Sequence, residues 1–263
     1  MSNTSLLSPM HNPMLTKKEI LRLKKLQQKA HRSKLRLFVV EGKSSVFTFL
    51  KAGYKPQYLL ATPSFIAENP ELSEAYHSTL HSIDNDRLAQ ISSLKSTSPI
   101  MLITQQPTVS LPLPDPQHHV LLLDDIQNPG NLGTIIRIAN WYGLHHIVAS
   151  PTTVDCYNPK VVQASMGSLA HVTLHYAPLL PYIKEAKKRG IPVTGALLQG
   201  QNLHKTTLPK AGCLIIGNEA HGISKALIDE ITLPITIPRF GESESLNAAI
   251  ATAIICDHWR QNG

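Results

Sequence analysis

The sequence predicts an α/β protein of two domains, the second built on a parallel sheet, and three observations carry that expectation. From His119 onward, short apolar runs alternate with stretches of helical periodicity, the pattern of strand–helix–strand crossovers. Residues 1–103 show a smaller mixture of the same two patterns. Between them, residues 104–118 hold four prolines and almost no periodicity, the composition of a linker. The expected division is therefore residues 1–103, linker 104–118 and residues 119–263.

The first domain opens on Leu15 to Ile20, where Thr16 and Glu19 stand at capping-box spacing and Leu15 can staple onto Ile20. Ile20, Leu23, Leu26 and Ala30 recur at helical spacing and predict one packed stripe. Lys17, Lys18, Lys24, Lys25 and Lys29 fill the other faces, and Arg32, Lys34 and Arg36 extend the basic surface. Leu37 to Val40 reads as a strand, Ser45 to Ala52 as a helix closed by Gly53, and Tyr58 to Ala61 as a second strand. Helical stretches follow around Glu71 to Leu80 and Asp86 to Leu94, then a strand at Ile100 to Ile103.

In the second domain, strands are expected at Val120 to Leu123, His146 to Ala149, Val172 to Tyr176, Val193 to Leu197, Leu214 to Ile216 and Leu233 to Ile237. Helices are expected at Leu132 to Tyr142, from Asn158-Pro159 through Ala164, at Leu180 to Arg189 and at Ser224 to Ile231. An Ala-rich helix ends the chain. Two strands deliver two notable loops. One places Gly217 and Gly222 at a strand-to-helix turn, where backbone can approach a ligand without an intervening Cβ. The other, Arg239 to Asn247, carries hydroxyl and amide donors before the last helix. Taken alone, such glycines serve turn punctuation as readily as ligand contact.

The 263 residues are 42% hydrophobic, enough for a full core in each domain. The net charge is +7, and residues 1–40 hold nine Lys or Arg against one acid, Glu19. A concentrated basic element on a nearly neutral body favours a polyanionic partner, with nucleic-acid phosphates the leading candidate. The three cysteines, Cys156, Cys213 and Cys256, form no Cys-x-x-Cys pair and read as reduced, buried small hydrophobes. No His or Cys spacing matches a metal site, and no metal is expected. No apolar run reaches membrane-spanning length, and residues 1–14 form a polar leader without a signal-peptide core. The expected compartment is the reducing cytoplasm.

A third loop decides between these readings. Asn131-x-Gly133-x-x-x-Arg137, then Gly217-x-Glu219-x-x-Gly222, then Ile237-Pro238 followed by Ser245-Leu246-Asn247, resembles the three motifs of the SpoU family of RNA 2′-O-ribose methyltransferases. The resemblance covers the C-terminal half, with Val154-Asp155, Asn158 to Lys160 and Ser165 to Gly167 as further landmarks. Residues 34–42 are the closest match to the substrate-binding domain often joined to it. Departures occur at Asn128, where an acid is usual, at Ala248, where a bulkier aliphatic often stands, and at Ser98-Pro99.

The resemblance implies a sheet tied into a deep trefoil knot, a homodimer paired through its helices, and S-adenosylmethionine as methyl donor. It places the cofactor against Leu214, Ile216, Gly217, Gly222, Ile237 and Leu246. It also implies attack of a ribose 2′-hydroxyl on the donor methyl with no metal. Arg137 would stabilise the developing alkoxide or grip the adjacent phosphate. Asn131 and Asn247 would fix loop geometry or touch substrate, and Glu219 would orient Arg137 or a backbone N–H. Ser245 would bond substrate or cap the last helix. The leading substrate is 23S-type rRNA gripped by the basic first domain; tRNA, or RNA binding without catalysis, are the alternatives.

Overall fold

A computed structural model describes residues 14–261, apart from Lys95; the leader expected at residues 1–14 therefore lies almost wholly outside the described residues. The chain forms two compact units that meet at Gln106 and Pro107.

The first unit carries β1 (Leu37–Glu41), β2 (Pro56–Ala61), β3 (Leu80–Ser82) and β4 (Ile100–Gln105) in the order β1-β4-β2-β3. β4 is antiparallel to both β1 and β2, whereas β3 lies parallel to β2. Two expectations shift here. Leu80, expected to end a helix, instead opens the strand Leu80–Ser82, which the sequence reading did not place, and pairs with Leu59. The strand β4 also takes in Thr104 and Gln105, which the sequence assigned to the linker; Thr104 is buried and donates to Lys55 O. Pro107 has no N–H to extend the ladder.

At the N-terminus the capping box forms as expected, with Glu19 N donating to Thr16 Oγ1 at 3.2 Å and Thr16 N donating to Glu19 Oε2 at 2.7 Å. Leu15 and Ile20 are both buried in the same core cluster. The single basic helix of the sequence reading is, however, three pieces: Lys17–Lys24, a 3₁₀ turn Lys25–Gln27, and Lys29–Leu35. Gln28 sits in extended backbone between them, so the stripe loses register and Ala30 is exposed. Arg32 is only 2% exposed, and its Nη1 donates to Leu26 O and Gln27 O, carbonyls at the break. Its guanidinium serves the fold, which removes Arg32 from the basic surface. Lys17, Lys18, Lys24, Lys25, Lys29, Lys34 and Arg36 are exposed.

The second unit is one parallel sheet of β5 (His119–Leu123), β6 (His146–Ala149), β7 (Thr173–Tyr176), β8 (Val193–Asn202), β9 (Gly212–Ile216) and β10 (Leu233–Thr236), ordered β10-β8-β9-β5-β6-β7. Its strands read as continuous apolar runs because both faces are covered. Val120, Leu122, Cys213 and Ile215 pack with Tyr182, Ile183 and Ala186 of the helix Leu179–Lys188. Leu121, Leu123, Leu214 and Ile216, which alternate with them, are also buried. The three cysteines are buried, as expected, and burial pushes the Cys213 and Cys256 thiols up to about 12.

From β5 the chain builds outward through β6 and β7, then returns to the other side to lay down β8, β9 and β10. The order therefore reverses between β5 and β9. Loops leaving the carboxyl ends of parallel strands at such a reversal form the crevice where α/β sheets bind ligands.

Candidate active site

The loop after β5 and the loop after β9 are locked together. Asp124 N donates to Ile216 O at 2.9 Å, and the buried Asp124 carboxylate accepts from Ser224 N at 2.7 Å. Asp125 adopts a left-handed backbone, φ 58°, and Asn218 Nδ2 donates to its carbonyl at 2.8 Å and its Oδ2 at 3.1 Å. The other side of the Asn218 amide accepts from Ala220 N and His221 N. The glycine pair closes this loop: Asn218 and Gly222 exchange both backbone hydrogen bonds at 2.9 Å, with Gly222 at φ +68°. A Cβ on Gly217 would collide with the Gly222–Ile223 backbone. These glycines are thus required by the turn itself.

A third loop joins them. Asn131 Nδ2 donates to Glu219 Oε1 at 2.7 Å, and Asn131 Oδ1 accepts from Asn247 Nδ2 at 2.8 Å. One carboxamide thereby ties together the three segments that the sequence singled out. Asn247 Oδ1 accepts from Ala249 N at 2.9 Å and Ile250 N at 3.3 Å, so Asn247 caps the last helix, Ala248–Gln261. That corrects the capping alternative for Ser245, which lies exposed two residues earlier. Glu219, expected on Arg137 or a backbone N–H, takes the Asn131 amide instead.

Arg137 projects from the helix Pro129–Trp141 and is exposed. Among the described residues no carboxylate pairs with it. Its helix is seated by Gly133, whose missing Cβ would lie 2.5 Å from Ala164 Cβ and 2.8 Å from Val161 O, and by Asn140, which donates to Ser168 Oγ at 3.3 Å. The landmark segment at residues 158–168 therefore flanks the helix face that carries Arg137.

Residues 118–257 match the SpoU rRNA methylase family, and residues 17–102 match an MRM3-like substrate-binding domain. The chain belongs to the SpoU rRNA methylase family. It is 31% identical over 239 residues to the 23S rRNA (guanosine(2553)-2′-O)-methyltransferase of Bacillus subtilis, covering 90% of this chain and 94% of that one. A TrmH-family structure from Porphyromonas gingivalis superposes with TM-score 0.82 at 34% identity, over 95% of this chain and all of that one (100%). An AdoMet-bound rRNA methyltransferase from Sinorhizobium meliloti superposes with TM-score 0.84 at 27% identity, over 95% and 97% of the two chains.

For a SpoU methylase, the residues present fit S-adenosylmethionine at the ends of β9 and β10. Pairing of β8 with β9 stops at Gly195 and Ile215, which leaves the strand beyond unspanned on that side. Ile216 and Gly217 form that end, with half-buried Ile237 and half-exposed Leu246 as the aliphatic side chains of the third segment. Leu214 does not belong to this set. It sits mid-strand, registered with Leu121 and Thr194, so its side chain is buried and its amide groups serve the sheet. Gly222 is exposed and shapes the turn.

Sequence reading missed Asp124, Asp125 and Asn218, which hold the SpoU loops in register. Two adjacent acids at the carboxyl end of an apolar strand, and an Asn beside the Gly, were the available signal.

Proposed function

We propose that this chain transfers a methyl group from S-adenosylmethionine to a ribose 2′-hydroxyl of 23S-type rRNA. The observation that carries the reading is the Glu219–Asn131–Asn247 hydrogen-bond chain, rooted on the helix that presents an exposed Arg137. S-adenosylmethionine, when bound, supplies an electrophilic methyl group on a sulfonium. That methyl would pass to the 2′-oxygen with the donor sulfur leaving as a neutral thioether, and the hydroxyl proton would go to solvent. Arg137 remains protonated at any working pH, so it steadies negative charge on the 2′-oxygen or holds the neighbouring phosphate. Asn131 keeps the loops aligned, and alignment is the larger share of the acceleration. Ile216, Gly217, Ile237 and Leu246 hold the donor, and Ser245 bonds substrate from its exposed position.

The exposed cations Lys17, Lys18, Lys24, Lys25, Lys29, Lys34 and Arg36 supply the RNA grip. The comparable length of the Bacillus relative supports rRNA over tRNA. Among the described residues no helix is long and apolar enough to cross a membrane, and no group of three candidate metal ligands occurs. The cytoplasm is the compartment that suits an rRNA substrate.

Labelled methyl transfer to unmodified rRNA and tRNA, with Arg137→Ala beside the wild type, tests the reading. Label on rRNA 2′-oxygens should fall roughly a hundredfold or more in the variant while donor affinity is unchanged. Label on tRNA alone would reverse the substrate, and no label on either would leave an RNA-binding protein.

Two finer features belong to the same proposal. The chain is a homodimer paired through the helices Pro129–Trp141 and Ala248–Gln261, on which Trp141 is 84% and Ile250 54% exposed. Sedimentation should show a dimer that Trp141→Glu converts to monomers; a monomeric wild type would discard it. The chain also threads its trefoil knot by passing residues 237–247 through the loop at residues 196–211. In support, it leaves β10 at the sheet edge yet reaches Asn131 by Asn247, and Trp259 Nε1 then bonds Pro209 O. An experimental trace running outside that loop would remove the knot.

A further inference from the structure

We propose that Phe240 is a positioning residue that stacks on a nucleobase at the methylation site, an inference that rests on the methyltransferase reading. Phe240 is 94% exposed, more than any other large hydrophobic side chain among the described residues. Single exposed apolar residues are ordinary on protein surfaces, so exposure alone decides nothing. Its place on the chain does. Phe240 sits in a short turn that bonds to itself, with Arg239 Nη1 donating to Ser243 O at 3.3 Å and Ser243 Oγ donating to Ser245 O at 3.1 Å. The far end of that turn is Asn247, which is tied to Asn131 and, through it, to Glu219. A bare aromatic ring is therefore held on the segment whose root helps build the candidate active site.

The charge on this turn narrows the ligand. Arg239 stands against Glu242 and Glu244, all three exposed, so the turn is net acidic and unsuited to phosphate. What it offers RNA is a π-face. Unstacked bases of single-stranded or looped RNA pack on aromatic rings through their π-faces, and a ribose is oriented when its base is fixed. Phe240 would hold the base while Arg137 meets the sugar.

The test is steady-state methylation of an unmodified rRNA transcript by Phe240→Ala, Phe240→Leu and Phe240→Trp, with filter binding of the same RNA and melting curves alongside. Phe240→Ala should raise the RNA KM and the RNA Kd about tenfold to a hundredfold. Its donor affinity and melting should match the wild type. Phe240→Trp should restore both constants and Phe240→Leu should not. Wild-type constants in Phe240→Ala, or full rescue by Phe240→Leu, overturn stacking. A drop in donor affinity moves Phe240 to the cofactor site, and dissociation of a dimer moves it to a protein interface; either overturns the inference. Should the wild type transfer no methyl, the methyltransferase reading fails separately, and the filter-binding series still decides the stacking.

Discussion

Arg32 and Arg137 are the same residue type put to opposite uses. Arg32 spends its guanidinium on two carbonyls at a helix break and is sealed from solvent, whereas Arg137 stands exposed with no carboxylate paired to it among the described residues. Only the second is available to an anionic substrate. Tyr182 shows the cost of the reverse arrangement, a polar group in an apolar place. Its hydroxyl is buried with no hydrogen-bond partner among the described residues, and burial raises its pKa. Removing an unsatisfied buried hydroxyl relieves desolvation without breaking a bond. Tyr182→Phe should therefore raise stability by about 1 kcal/mol in urea unfolding. A loss of that size would mean that the hydroxyl has a bonded partner after all. The Asn131 amide was legible as a motif position, yet its two partners lie 88 and 116 residues away, beyond any local pattern.

Helix starts depend on single caps, and Asn128 illustrates why a departure from the family pattern is tolerated. Its side chain accepts from Gly130 N at 2.8 Å and Asn131 N at 3.2 Å, opening the helix at Pro129. Sequence reading began this helix three residues later, at Leu132. Proline at the first helical position loses no hydrogen bond, because that N–H has no partner in any case. Asparagine and aspartate cap equally well, so Asn128→Asp should be near neutral and Asn128→Ala should cost about 1 kcal/mol. Thermal melting of the pair checks this; equal losses would show that charge matters more than the cap. Because Asn131 lies in the same first turn, the alanine variant should also lose methyl transfer. The strand β8 was likewise underestimated, since it was expected to end at Leu197 yet Gln201 and Asn202 pair with Ile235 and Thr236.

At the scale of the molecule, the two units present different features, a cluster of exposed cations within residues 17–36 in the first and the hydrogen-bonded loops in the second. Each has its own buried core. A chain beginning at Pro107 should fold, retain donor affinity, and lose RNA affinity together with most of its salt dependence. Calorimetry and filter binding over a range of salt measure both; RNA binding unchanged in the truncated chain would move the grip out of the first unit. Composition, charge clustering and the period of the apolar runs were enough to specify two α/β domains, a basic N-terminal element and buried thiols, and resemblance to the SpoU family picked out the residues of three motifs. Those are properties of neighbours along the chain. Tertiary structure alone decided the sheet order, the reversal between β5 and β9, the burial of Arg32 and Leu214, and the role of Asn131 as the join between loops. Each of these depends on which distant segments share a strand edge or a hydrogen bond, and local periodicity carries no record of that partner.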